Sequence, residues 1–174
     1  MSVSLSFPAD LHRELLAHLR ATEHEQVAFL FTEPPVPGEP LRVAELYQVP
    51  LAEFDFQSAY HVTLADHVRG HVIGRAWQLS GCLVEAHSHG GGLPASFSRS
   101  DMAGFDEWVP HVCWRLRGRT YVALVFADDS FDALVWEEGL DGPGPLAGVI
   151  VDGNGILPPT GITYSRLSEA RRDG

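Results

Sequence analysis

Lysine is absent from this chain of 174 residues, and all 12 of its basic side chains are Arg. No side-chain amine here can therefore accept an isopeptide bond, although coding bias is the simplest cause. Basic charge is scarce as well. The 12 Arg face 23 Asp and Glu, a formal net charge of −11 at pH 7. So acidic a balance argues against duplex nucleic acid or anionic membrane as the main partner, because both are gripped by basic surfaces. Cysteine is nearly missing. Cys82 and Cys113 sit inside the apolar runs GCLVEA and HVCWRL, which predicts two free, buried thiols in a reducing compartment and no disulfide framework. No stretch approaches about eighteen consecutive apolar residues, so no membrane-spanning helix is expected. The opening MSVSLSFPADLHREL has no basic segment followed by an apolar one; it is not read as a secretory signal, and a cytoplasmic location is expected. Repeats, low-complexity tracts and internal linkers are lacking too.

What is present is apolar material. Hydrophobic residues make up 45 % of the chain, enough for a genuine core and too much for a disordered segment. The length suits one domain, taken as residues 1–174. Leu11, Leu15 and Leu19 recur every four residues, predicting a helix over 9–21 that starts at Pro8. EQVAFLFT, from Glu25, reads as a buried strand, PPVPGEP as an enforced loop, and LRVAELYQV and YHVTL as further strands. Val68, Val72, Ala76 and Leu79 share one face of a helix predicted over 65–79. GCLVEAHSH is then a strand, HGGGLPASF a loop, and SRSDMAGFDEWV the start of a helix. RTYVALVF and SFDALVW form a hairpin turning at Asp128–Asp129, and PLAGVIV is a last strand before a polar, frayed tail over about 157–174. The expected class is mixed α/β, a central sheet flanked by helices.

The segment HSHGGGLPASFSRSD, residues 87–101, carries the chemistry. On a strand, residues i and i+2 project from one face, so His87 and His89 can reach one ion. Asp101, twelve residues after His89, can fold back as a third ligand. Two histidines and a carboxylate leave a coordination position open, the arrangement of catalytic zinc sites. Such a site needs a further carboxylate close by that is not a ligand. Glu25 is the leading candidate; Glu23 and Glu85 are its rivals.

These residues resemble the JAB/MPN metalloproteases with the JAMM motif: a Glu on an early strand, then His-x-His, a spacer, Ser, two residues and Asp. Glu25, His87-Ser88-His89 and Ser98-Arg99-Ser100-Asp101 fill that pattern over a motif-bearing core of about 9–136. The spacer of eight residues is one longer than usual, and Gly90 stands where the family typically has Pro; both changes fall in a glycine loop that absorbs them. The resemblance implies a JAB/MPN-like fold, with His87, His89 and Asp101 as ligands of one Zn2+, Glu25 as general acid/base and Ser98 steadying an oxyanion. It further implies a zinc-dependent isopeptidase or peptidase acting on a ubiquitin-like protein with a Gly-Gly-type tail, in company with E1-like and E2-like proteins. The alternatives are a non-catalytic MPN-type interaction module and tail-trimming of a sulfur-carrier protein.

Plainer readings stand beside each feature. Ser98-x-x-Asp101 is also how a capped helix begins. His67 and His71 are spaced for one helix face, but HVRGH has Val68 where a zincin helix needs Glu, so a solvated face is expected. HGGG lacks the G-x-S-x-G elbow of an esterase. Trp108, Trp114 and Trp136 read as core and interface filler.

Overall fold

The computed structural model describes residues 2–172. Its elements are β1 (Ser4–Phe7), α1 (Ala9–Leu19), β2 (Val27–Thr32), β3 (Leu41–Gln48), β4 (Phe54–Gln57), β5 (Val62–Leu64), α2 (Asp66–Gln78), β6 (Leu83–Ser88), α3 (Arg99–Arg115), β7 (Tyr121–Phe126), β8 (Phe131–Trp136), β9 (Gly144–Pro145), β10 (Gly148–Val151), β11 (Gly155–Leu157) and α4 (Ile162–Arg172). Nine strands form one mixed sheet in the order β11-β10-β1-β3-β2-β6-β7-β8-β9, and β4 and β5 form a separate hairpin. The protein is mixed α/β.

VAFLFT and YVALVF are buried throughout, and almost wholly apolar, because β2 and β7 are covered on both faces. On one face Val27, Phe29, Leu83, Ala123 and Val125 pack with Val68, Val72 and Ala76 of α2 and Phe105, Trp108 and Val112 of α3. On the other, Ala28, Leu30, Val84, Val122 and Leu124 pack with Leu15 and Leu19 of α1. Each fully buried leucine of that helix contributes about 1.5–3 kcal/mol. The two parallel neighbours β6 and β7 are joined through α3, as a parallel pair requires a crossover. Gly81 admits β6 to the sheet: a Cβ there would stand 1.9 Å from the Thr32 carbonyl oxygen.

Several expectations are corrected. The tail expected to fray, about 157–174, forms α4 over most of its described residues, with β11 leading into it; residues 173–174 lie outside the described residues. Asp132, fully buried within β8, accepts hydrogen bonds from the N–H groups of Gly161 (3.0 Å) and Thr163 (2.9 Å) and so anchors the start of that helix. SLSF, read only as part of a non-signal N-terminus, is β1, an interior strand paired with β3 and β10. Trp114 is not core: 74 % of it is exposed, whereas Trp108 is buried. Cys82 is buried as expected, but Cys113 is only half-buried; both thiols are free. His67 and His71 are exposed, near Glu53 and Tyr47 respectively. No helix among the described residues is long and apolar enough to cross a membrane.

Candidate metal centre

The site forms where the C-terminal end of β6 meets the start of β2 and the first turn of α3. Val27 faces His87 in the antiparallel β2–β6 register. Two steps further along the same ladder, Glu25 lies opposite His89. The chain there is held by Ser88, whose N–H donates to Gln26 O (3.1 Å) and whose Oγ accepts from Gln26 N–H (2.9 Å). Opposite residues of an antiparallel pair share a face, so Glu25 joins the side on which His87 and His89 project. Glu25 precedes β2 by two residues rather than opening it. Its main chain is fastened to the β4–β5 hairpin: its N–H donates to Ser58 O (2.8 Å) and its carbonyl accepts from Gln57 Nε2 (2.8 Å).

Ser98 is the N-cap of α3. Asp101 N–H donates to Ser98 Oγ (3.1 Å) while Ser98 N–H donates to Asp101 Oδ2 (2.6 Å), a complete capping box. The same carboxylate faces the histidines. Asp101 Oδ2 lies 3.3 Å from His89 Nε2, and Oδ1 lies 3.5 Å from His87 Nε2. The two Nε2 atoms are 3.2 Å apart. Glu25 Oε1 is 3.7 Å from His89 Nε2. Thus all five expected residues come together, and capping and convergence on the histidines are one arrangement.

The separations test whether an ion fits. Two ligands about 2.05 Å from zinc at the tetrahedral angle stand about 3.3 Å apart. The two ring nitrogens, 3.2 Å apart, stand close to that value, and each lies within 3.5 Å of one of the two Asp101 oxygens. Moreover, two ring nitrogens that close need a proton or a cation between them. Among the described residues, His87, His89 and Asp101 form the one cluster whose donor atoms converge in this way. A divalent cation fits this donor set.

Electrostatics follow from the crowding. Burial alone would raise the Asp101 carboxyl, but hydrogen bonding to His87 and His89 outweighs it and holds the group far below the usual carboxylate range. Burial opposes protonation of His87, yet the Asp101 hydrogen bond and the charges of Asp101, Glu85 and Glu25 raise it overall. Burial raises Glu25, and the histidines only partly offset this.

Residues that sequence reasoning passed over support the site. The loop before Ser98 is stapled from three sides: Ala95 N–H donates to Ser130 Oγ (2.9 Å), Thr160 Oγ1 donates to Ala95 O (2.8 Å), and Phe97 N–H donates to Thr163 Oγ1 (2.9 Å). These partners lie 35 to 66 residues away in sequence, and no local pattern announces them. Phe97 in turn packs its ring 5.7 Å from that of His87.

The fold and site together define a mixed α/β protein with a candidate two-histidine, one-carboxylate metal centre. No protein-family model and no curated protein matches this chain. The fold recurs in the solution structure of a protein from Desulfitobacterium hafniense, with 17 % identity over 84 % of this chain and 92 % of that one and a TM-score of 0.55. It recurs again in a protein from Salinibacter ruber, with 21 % identity over 88 % of this chain and 96 % of that one and a TM-score of 0.50. At such identities the likeness is one of fold alone.

Proposed function

We propose that this chain is a zinc-dependent peptidase of JAB/MPN type that cleaves the C-terminal tail, or the isopeptide linkage, of a ubiquitin-like protein. The observation that carries the reading is the convergence of the donor atoms of His87, His89 and Asp101 with Glu25 beside them. Zinc held by those three residues would polarise a scissile carbonyl and yield a nucleophile near neutral pH.

The remaining work falls to the chain. The Glu25 carboxylate receives no hydrogen bond from another described residue, so its oxygens are free to take a proton and pass it to a departing amine. Its raised pKa suits both halves of that exchange. Ser98 Oγ accepts from the Asp101 N–H, which leaves its own hydroxyl proton to donate to a developing oxyanion. The positive end of α3 points the same way.

Glu25 lines three depressions around the site, two of which border the expected ligands and the start of α3. One, of about 250 Å³, is bordered by Val62–Leu64 of β5 together with His87 and Asp101. The other, of about 940 Å³, runs between α3 and α4 past His89 and Ser98. β5 pairs only with β4 among the described strands, so an extended tail can add to its open edge. Gly-Gly at the cut would let the tail's backbone pass close to the ligands. E1-like and E2-like proteins and a cytoplasmic setting belong to this same reading.

The experiment combines metal analysis with cleavage of a peptide ending in Gly-Gly coupled to a fluorogenic amine. One zinc per chain is expected, and Glu25→Gln should lower turnover by about 10²–10⁴-fold while the zinc stays bound. Hydrolysis unaffected by Glu25→Gln would move the proton-transfer role elsewhere. A purified chain without stoichiometric zinc would instead favour a non-catalytic interaction module.

A further inference from the structure

Glu85 is the feature of this region that the proposed reaction leaves unused. It lies on β6 two residues before His87 and is mostly enclosed by the α2–α3 side of the core, where a carboxylate costs free energy unless it is partnered. A chain of two hydrogen bonds leads to it through the core. Trp108 Nε1–H donates to Tyr121 Oη (3.0 Å), and Tyr121 O–H donates to Glu85 Oε2 (2.6 Å). The other oxygen, Oε1, faces His87 Nδ1 at 4.0 Å.

That geometry separates Glu85 from Glu25. His87 turns Nε2 toward His89 and Asp101, while Glu85 approaches the opposite ring nitrogen. Glu85 borders the same depression as Glu25, His87 and Asp101, but its oxygens approach Tyr121 and the Nδ1 side of His87 and not the nitrogen that faces the other two donors. It is well placed to act on the imidazole itself. A carboxylate beside Nδ1 favours a proton on that nitrogen, which leaves the Nε2 lone pair for an ion. At 4.0 Å the pair is not a hydrogen bond; an ion held at Nε2 would make Nδ1–H a stronger donor toward this carboxylate.

We infer that Glu85, held from behind by Tyr121 and Trp108, is a positioning residue that orients His87 and fixes its metal-binding tautomer. This rests on the reading of His87 as a ligand. The Trp108–Tyr121 pair thereby has a role beyond packing.

The test measures zinc affinity by chelator competition, together with exchange of the His87 Nδ1–H proton in the zinc-loaded protein by NMR. Glu85→Leu should weaken zinc binding about 10–100-fold and speed exchange of that proton. Glu85→Gln keeps an acceptor oxygen and should recover most of the affinity. Tyr121→Phe preserves the packing and deletes both hydrogen bonds of the chain, the one from Trp108 and the one to Glu85, so a loss of about 2–10-fold is expected. Because Glu85→Leu also leaves the buried Tyr121 O–H without its acceptor and so lowers metal-free stability, positioning is told from a structural role by faster Nδ1–H exchange in the folded, zinc-loaded variant, which a merely structural loss would not move. Zinc affinity within twofold of wild type in a folded Glu85→Leu variant, with unchanged Nδ1–H exchange, overturns the inference and leaves the metal reading intact. Should Glu85→Leu fail to fold, unchanged affinity and exchange in Tyr121→Phe overturn it equally. A wild-type chain that binds no zinc overturns the metal reading first, and this inference with it.

Discussion

Asp101 is asked to do two things, and a pair of substitutions separates them. Asp101→Asn keeps one oxygen able to accept from Ser98 N–H, now 2.6 Å from Oδ2, but it removes the anionic donor. Asp101→Ala removes both. At pH about 8 the histidines are largely neutral in the unfolded chain, so metal-free stabilities report mainly on the helix end. There Asn should cost about 0.3–1 kcal/mol through the lost charge at the N-terminus of α3. Ala should cost a further 0.5–1.5 kcal/mol or so for the lost hydrogen bond. Zinc tells the opposite story. At one hundred times its dissociation constant, a ligand specific for the native state adds about 2.7 kcal/mol to wild type. A ligand lost, with affinity down a hundredfold or more, leaves about 0.4 kcal/mol or less of that increment in either variant. Urea unfolding with and without zinc measures all four numbers. Retention of the full zinc increment by Asp101→Asn would refute ligation by this carboxylate. Equal metal-free stabilities for Asn and Ala would refute the capping half of the argument.

Three further outcomes follow from the structure. The depressed Asp101 pKa contributes stability that is present above the unfolded carboxylate value of about 3.9 and lost as pH falls below it, whereas the raised His87 pKa contributes stability present below about 6.5 and lost as pH rises. Thermal melts of the metal-free chain should therefore peak between those values, while the gain on adding zinc, which needs neutral imidazoles, should grow from pH about 5.5 to about 8; a gain that shrinks over that range would contradict the assignment. Asp132→Ala leaves the N–H groups of Gly161 and Thr163 without their acceptor and should cost about 2–4 kcal/mol, with hydrogen exchange in α4 rising more than in β7. Gly81→Ala puts a methyl group 1.9 Å from the Thr32 carbonyl oxygen and should destabilise by about 3 kcal/mol or more in a denaturant titration.

What could be read from the residues alone divides by the range of the interaction. Helices α1 and α2, strands β2, β3, β6, β7 and β8, and the hairpin turn between the last two are visible because each carries its own period or unbroken run of apolar residues. β1 and β10 lie together inside the sheet, yet only the second was expected. SLSF has four residues and only two alternations, too little to distinguish a strand from an irregular N-terminus. α4 escaped because its own surface is polar; what orders it is Asp132, which sits within an apolar strand and finds its partners 29 and 31 residues later. A polar residue amid FDALVW was the available sign that something beyond the strand needed an acceptor.

The candidate site was more legible than the fold around it, for a physical reason. Each of its parts is also a local device of structure. His87 and His89 share a face because of the strand period, and Ser98 and Asp101 adopt their positions because a helix has to be capped. The cap does more than permit the site. With Ser98 N–H on Oδ2 and its own N–H on Ser98 Oγ, Asp101 presents its carboxylate in one rotamer before any ion arrives, so little side-chain entropy remains to be lost on binding. Glu25 is the exception, since its position depends on a register between strands some sixty residues apart. Only the pairing of Val27 with His87 sets it opposite His89; a slip of one residue along that ladder would turn it to the other face of the sheet. The local motifs therefore assemble the three donors, whereas the tertiary register decides whether a fourth side chain stands ready beside them.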